Sequence, residues 1–178
     1  MKVLRTPRLL LAPTPLHVLK WRLEQDEFSA PLDLEGRTLD VSFTPEWPGD
    51  ALALFPLIIE QLEEDPHAGV WGGTLIERRS NFAVGQMGLK GPPDEQGRVE
   101  VGYGVNPSLQ GRGFATEMLG ALVAWAVEQP KVDKVTAECL TSNAGSIRVL
   151  EKANFERVGQ REDEEGRLFL WDYSSPSS

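Results

Sequence analysis

Residues 99–127 constrain the fold more than any other stretch, because a strand, a glycine-rich turn and a helix follow one another there without a break. Val99, Val101, Tyr103 and Val105 alternate with Glu100, Gly102 and Gly104, the period-two pattern of a strand with one side-chain-poor face. Asn106-Pro107-Ser108-Leu109-Gln110-Gly111-Arg112-Gly113-Phe114-Ala115-Thr116 then leads into a helix predicted over Gly113–Val127, with Met118, Leu119, Leu122, Val123 and Ala126 on its apolar face. Glycines at the mouth of a helix leave backbone N–H groups bare. With the positive end of the helix dipole, those donors form a ready anion site. Missing side chains at Gly111 and Gly113 let a phosphate approach the backbone, and Arg112 adds a charge that can screen or pair with it. The same glycines also serve a plain tight turn, and glycines alone favour that simpler reading.

Around this segment the periodicity switches twice. Arg8–Ala12 reads as a first strand between Pro7 and Pro13, and Thr14-Pro15 as a cap with proline at the first helical position. A helix is predicted over His17–Asp26, with Leu16, Leu19 and Leu23 on one face. Phe28–Trp47, with Pro31, Pro45 and Pro48 as breakers, reads as irregular. A second helix is expected after Asp50, with Leu54, Leu57, Ile58 and Leu62 sharing a face, ended by Glu63-Glu64-Asp65-Pro66; Pro56 leaves its start open. Val70–Glu77 and Phe82–Lys90 flank Arg78–Asn81 as a hairpin, and Gly91–Gly97 is a loop. Lys134–Leu140 reads as a strand, Ala144–Lys152 as a helix, and Phe155–Gly159 with Arg167–Tyr173 as a closing hairpin. The expected order is β-α-α-β-β-β-α-β-α-β-β. It implies an α/β (α+β) fold: a mixed, mostly antiparallel central sheet with helices on both faces, one domain over residues 1–173 and a frayed tail over 174–178.

The phosphate loop matches neither common nucleotide motif. No lysine follows Gly113 as a P-loop requires, and Gly111-Arg112-Gly113-Phe114-Ala115 runs on to Thr116, where a dinucleotide fingerprint needs glycine. The pattern Gln110-x-x-Gly113-x-Ala115, directly behind Glu100-Val101-Gly102-Tyr103-Gly104-Val105-Asn106-Pro107, resembles motif A of the GNAT acetyltransferase superfamily, which binds the pyrophosphate of acetyl-CoA. Together with Ala115-Thr116-Glu117 it is similar to the subfamily that includes the ribosomal-protein-alanine N-acetyltransferases. Thr6-Pro7-Arg8-Leu9-Leu10-Leu11 resembles that subfamily's opening strand, and Asn143 to Phe155 its motif B. Asn154 stands where the motif usually has glycine, and asparagine can still take the left-handed conformation that ends a helix.

The resemblance implies acetyl-CoA as co-substrate, no metal, and an amine acceptor that is either a small molecule or a protein N-terminus. It implies that a backbone N–H near Tyr103, Gly104 and Val105 meets the thioester carbonyl. N–H groups across Gln110, Gly111, Arg112, Gly113, Phe114, Ala115 and Thr116 would hold the pyrophosphate. Asn143 would hydrogen-bond the pantetheine arm or act as a helix N-cap, and both roles can hold together. Glu100 is the candidate base for the ammonium proton, or else a carboxylate paired with Arg98 or Arg112. Ser146 is a candidate donor to the thiolate, or ordinary helix-surface polarity. The tyrosine that many superfamily members use as general acid has no counterpart, since the only tyrosines are Tyr103 and Tyr173.

Composition limits the partners. A net charge of −9 disfavours binding to a phosphate backbone and suits cationic amines, although solubility alone explains it. A single cysteine, Cys139, excludes an internal disulfide framework and reads as a core residue; with only two histidines there is little to hold zinc. His17 and His67 carry no assigned role. No apolar run reaches the ~20 residues of a membrane span, and no signal-peptide core follows Met1. The expectation is a cytoplasmic protein, away from nucleic acid and membrane, with a homodimer suggested only by analogy. Two competitors stand beside an acetyltransferase: a non-catalytic acyl-CoA-binding domain, and a nucleotide-binding domain using the same loop.

Overall fold

The computed structural model describes residues 2–67 and 71–174. In chain order the elements are β1 (Leu4–Arg5), β2 (Leu9–Ala12), α1 (Leu16–Glu24), β3 (Phe28–Asp33), β4 (Thr38–Phe43), a 3-10 turn (Gly49–Leu54), α2 (Phe55–Glu64), β5 (Gly72–Glu77), β6 (Ala83–Leu89) and β7 (Arg98–Val105). A 3-10 turn over Pro107–Leu109 follows, then α3 (Phe114–Ala126), β8 (Lys134–Leu140), α4 (Ala144–Lys152), β9 (Phe155–Asp163) and β10 (Gly166–Tyr173). The hydrogen-bonded strand order is β1-β2-β5-β6-β7-β8-β10-β9, with β3 and β4 forming a separate pair. The β7–β8 pair is parallel; β1–β2, β2–β5, β5–β6, β8–β10 and β9–β10 are antiparallel. This is the mixed α/β sheet flanked by helices that the sequence predicts. Backbone proximity divides the chain into two compact units. One holds the residues up to Gly88 together with Tyr103–Phe114, and the other holds Leu89–Gly102 and the residues from Ala115 onward.

In the first unit, the segment expected to be irregular is a hairpin. β3 and β4 pair from Phe28↔Phe43 to Asp33↔Thr38 around a turn in which Glu35 and Gly36 take positive φ. Ala30 and Leu32 are buried while Ser29, Pro31 and Asp33 face out, so the alternation was present but masked by Pro31. Proline is tolerated because a two-stranded ribbon consists of edge strands. Phe28 stacks on Phe43 at 4.7 Å, Phe43 meets Trp47 edge-on at 4.6 Å, and Trp47 meets Phe55 at 5.3 Å. The aromatic line ties this hairpin to the start of α2.

The helices of this unit depart from expectation at their ends. The residue capping α1 is Pro15, with no side-chain cap; Thr14 instead spends its hydroxyl on Thr74 Oγ1 at 2.8 Å. Leu23 is 49% exposed, and Arg22 turns inward in its place. Arg22 Nε donates to the Trp47 carbonyl at 2.6 Å, Nη2 to the Pro45 carbonyl at 2.9 Å, and Nη1 to Asp26 at 2.8 Å. Each nitrogen of its buried guanidinium thereby has a partner, and residues 45–47 are pinned. Pro56 falls in the first turn of α2, where a missing N–H costs nothing. Phe55 and Leu62 are buried, whereas Leu54 and Leu57 are exposed.

The second unit follows the sequence closely. The predicted apolar face of α3, Met118, Leu119, Leu122, Val123 and Ala126, is buried throughout, and β8 buries Val135, Ala137 and Cys139 alternately. The closing hairpin is longer than expected, with β9 reaching Asp163. Ser174 donates its N–H to the Asn154 carbonyl at 3.0 Å; residues 175–178 of the expected tail, and Val70 of the expected strand, lie outside the described residues. Asn154 has φ +63, the left-handed stop at which glycine is usual. Replacing Asn154 by Ala is expected to cost about 1 kcal/mol, and by Gly to leave stability unchanged or improved. Urea denaturation of both variants checks the sign.

Candidate functional site

β7 reaches the glycine loop through two different environments. At its start it belongs to the second unit, where its parallel register with β8 runs from Arg98↔Lys134 to Val101↔Ala137; the strand itself continues to Val105. Its last residues belong to the first unit. Gly102 and Gly104 on the side-chain-poor face are half-buried, each with a neighbour from its own unit. Beside Gly102 lies the Lys90 side chain, with Cε 3.6 Å from where a Cβ would stand. Against Gly104 lies the Pro48 carbonyl, 3.3 Å from the same point. A Cβ on Gly104 would press on that carbonyl, which would have to give by a few tenths of an ångström.

Residues 45–48 also reach the loop that follows. Glu46 accepts hydrogen bonds from the Ser108 N–H (3.2 Å) and from the Ser108 hydroxyl, fixing the 3-10 turn. Trp47 Nε1 donates to the Gly85 carbonyl at 2.9 Å. Asn106, 1% exposed, is locked by its N–H on the Val84 carbonyl at 2.9 Å and by Nδ2 on the Ala83 carbonyl at 3.0 Å. These residues were not singled out from the sequence as site residues, since nothing in the order of the chain brings residues 46 and 108 together.

The loop is shaped by backbone conformation. Gly111 and Gly113 have φ +76 and +79, a region that residues with a Cβ rarely adopt. The Gln110 side chain turns back, Nε2 donating to the Val105 carbonyl at 3.1 Å, and closes the loop on the end of β7. Nothing lies within 4 Å of the Cβ position of Gly111. The first N–H groups of α3 follow immediately and have no partner within the helix. This arrangement can take an anionic group, because its donors are backbone amides and no side chain at Gly111 stands in the way.

The remaining candidates lie in the second unit. Glu100 is ion-paired with Lys90, whereas the alternative to its role as base named Arg98 or Arg112 as the partner; Arg98 is held by Asp94 at 2.9 Å. Backbone and side-chain donors from Arg98 keep the Asp94 carboxyl below the usual range. Asn143 is the N-cap of α4, its side chain accepting from the Ser146 N–H at 3.0 Å. Ser146 sits one turn into that helix, and Ala115 and Thr116 open α3. Cys139 is buried, and burial pushes its thiol above the ordinary value, as suits a core residue rather than a nucleophile. Among the described residues no group of His, Cys, Asp and Glu is placed to hold a metal ion.

A family model described as an acetyltransferase (GNAT) domain matches residues 35–156. The Bacillus subtilis protein YjdG, named as an uncharacterized N-acetyltransferase, is 30% identical over 157 residues, covering 87% of this chain and 90% of its own length. The chain belongs to the GNAT acetyltransferase family. Solved structures agree on the fold. A GNAT-family acetyltransferase of Bordetella pertussis superposes with a TM-score of 0.69 at 18% identity, covering 98% of this chain and 100% of its own. RimL, a ribosomal L7/L12 alpha-N-protein acetyltransferase solved with coenzyme A, gives 0.66 at 13% identity over 96% of this chain and 97% of its own.

Proposed function

We propose that this protein transfers the acetyl group of acetyl-CoA directly to a primary amine, within the cytoplasm and without a metal. The observation that carries the reading is the pair of left-handed glycines, Gly111 and Gly113, opening onto α3 directly behind β7. In this reading the amides of residues 110–116 hold the pyrophosphate, and a β7 amide among Tyr103–Val105 polarises the thioester carbonyl. The amine lone pair attacks that carbon, the C–S bond breaks, and CoA leaves as thiolate. Glu100 takes a proton from the ammonium beforehand, directly or through water, so that the lone pair is free; Ser146 passes its hydroxyl proton to the thiolate and is reprotonated by the second proton that the new amide nitrogen releases. Asn143, fixed as a cap, directs its remaining amide donors to the pantetheine arm. The net charge of −9 suits a cationic acceptor. Likeness to the ribosomal-protein-alanine subfamily adds a protein N-terminus to small amines as the candidate acceptors.

A second reading, an acyl-CoA-binding domain without turnover, draws on one observation: the Glu100 carboxylate is already engaged by Lys90. Both readings make the same first prediction. Acetyl-CoA and CoA at ~100 times their dissociation constants should stabilise the fold by about 2.7 kcal/mol in thermal melts, whereas ATP and NAD at equal concentration should not. A larger shift with ATP or NAD would overturn both. Amine-dependent release of CoA thiol then separates transfer from binding alone.

A further inference from the structure

Arg8 lies 104 positions before Arg112 in the chain, yet its Nη1 donates to the Arg112 carbonyl at 2.9 Å. Its guanidinium stands 4.8 Å from the centre of the Phe114 ring, and Nη2 lies 3.4 Å from where a Cβ on Gly113 would be. One side chain therefore rests on three consecutive residues of the loop. The base of that side chain is fixed too. The Arg8 carbonyl accepts the Arg78 N–H at 2.9 Å, and Arg78 Nη1 donates to the Thr6 carbonyl at 2.8 Å.

We infer that Arg8 is a positioning residue for the phosphate loop: it holds the Arg112–Gly113 peptide in the one orientation that presents the Gly113 N–H to an anion. The inference rests on the proposed use of acetyl-CoA. In a planar trans peptide, C=O and N–H point in opposite directions, so fixing the Arg112 oxygen on Arg8 fixes the Gly113 N–H on the far edge. This peptide needs an outside restraint because the residue on its C-terminal side is glycine. A turn of its plane changes ψ of Arg112 and φ of Gly113, and Gly113, at φ +79, reaches positive and negative φ about equally well, so the Arg112–Gly113 plane turns over at little conformational cost. A turned peptide would aim a carbonyl oxygen at the phosphate in place of a donor. Phe114 contributes by offering the guanidinium an aromatic face while its own ring is buried, only 4% exposed, so the cation cannot slide off the loop without losing that contact.

The test compares wild type with Arg8→Gln and Arg8→Lys. Dissociation constants are measured for CoA and for pantetheine, which lacks the pyrophosphate, and melting temperatures are measured without ligand. Loss of a charge-assisted hydrogen bond on the loop is expected to weaken CoA binding about ten-fold in Arg8→Gln. Pantetheine binding should stay the same, so the ratio of the two constants moves. Arg8→Lys, with its charge and one donor kept, should lose roughly three-fold. An unchanged ratio, whether both ligands weaken together or neither does, overturns the inference, since a merely structural Arg8 would act on both. If Arg8→Gln does not fold, the ratio in Arg8→Lys decides in the same way. Wild-type protein that binds no CoA would overturn the proposed function, and this inference with it. Wild type that binds CoA, with both variants matching it, overturns this inference alone.

Discussion

Gly85→Ala is expected to destabilise the protein by about 3 kcal/mol, a shift in melting temperature of roughly 6–12 °C for a chain of this size. A methyl group on Gly85 would stand closer to the Gly104 carbonyl oxygen than any van der Waals contact allows, and 3.1 Å from Val105 Cα. Both are backbone atoms of the strand end that leads into the glycine loop, so no side chain can swing aside to make room. The Gly85 carbonyl also carries the Trp47 indole N–H at 2.9 Å, and moving β6 away from the clash stretches that bond. Gly120→Ala is the matched control. Gly120 is exposed in the middle of α3, with nothing within 4 Å of its Cβ position, and alanine there should add about 0.5–1 kcal/mol. Thermal or urea denaturation of the pair measures close packing against helix propensity at two glycines of one chain. Equal stability of Gly85→Ala and wild type would refute the close approach.

For Glu100→Gln the expectation is a fall in kcat of about 100-fold, with the dissociation constant for CoA unchanged. The ion pair makes a companion variant necessary. Lys90 packs its methylenes beside Gly102 and its ammonium on Glu100 Oε1; the pair is partly exposed, at 57% for the Lys90 side chain and 28% for Glu100, so it contributes at most about 1 kcal/mol to stability. Lys90→Met keeps the packing and removes the charge. If Glu100 takes the substrate proton, Lys90→Met should hold kcat within a few-fold while Glu100→Gln loses most of it. If Glu100 serves only as the partner of Lys90, the two variants should behave alike. Steady-state CoA release with any accepted amine, alongside melting curves, tells these outcomes apart.

Much of the candidate site was legible because its signals are local. The strand of β7, the left-handed glycines, α3 and the Asn143 cap are each set within a few residues by side-chain period, a missing Cβ or a capping oxygen. Asn154 illustrates how far this goes: its tolerance of positive φ is a property of one side chain, and the structure uses it. Family likeness then drew these local pieces together. The partner of Glu100 was not legible. Lys90, Arg98 and Arg112 are all cations near it in sequence, and the choice depends on the turn at residues 91–97, where Asp94 captures Arg98 first.

The first unit shows the opposite case. Pro31 disguised β3, because a proline in a strand is permitted only when the strand is an edge, and edge position is a property of the assembled sheet. Arg22 was a polar position on an amphipathic helix until the carbonyls of Pro45 and Trp47 gave it a buried destination. The sequence by itself determined the elements of the second unit and the glycine loop, since period, capping and left-handed backbone are decided among near neighbours. Tertiary structure alone decided that residues 48–51 cover Gly104, that Glu46 holds Ser108, and that Arg8 rests on Arg112–Phe114. Those contacts join segments tens of residues apart, and their distances are set by how strands register and pack rather than by any pattern along the chain.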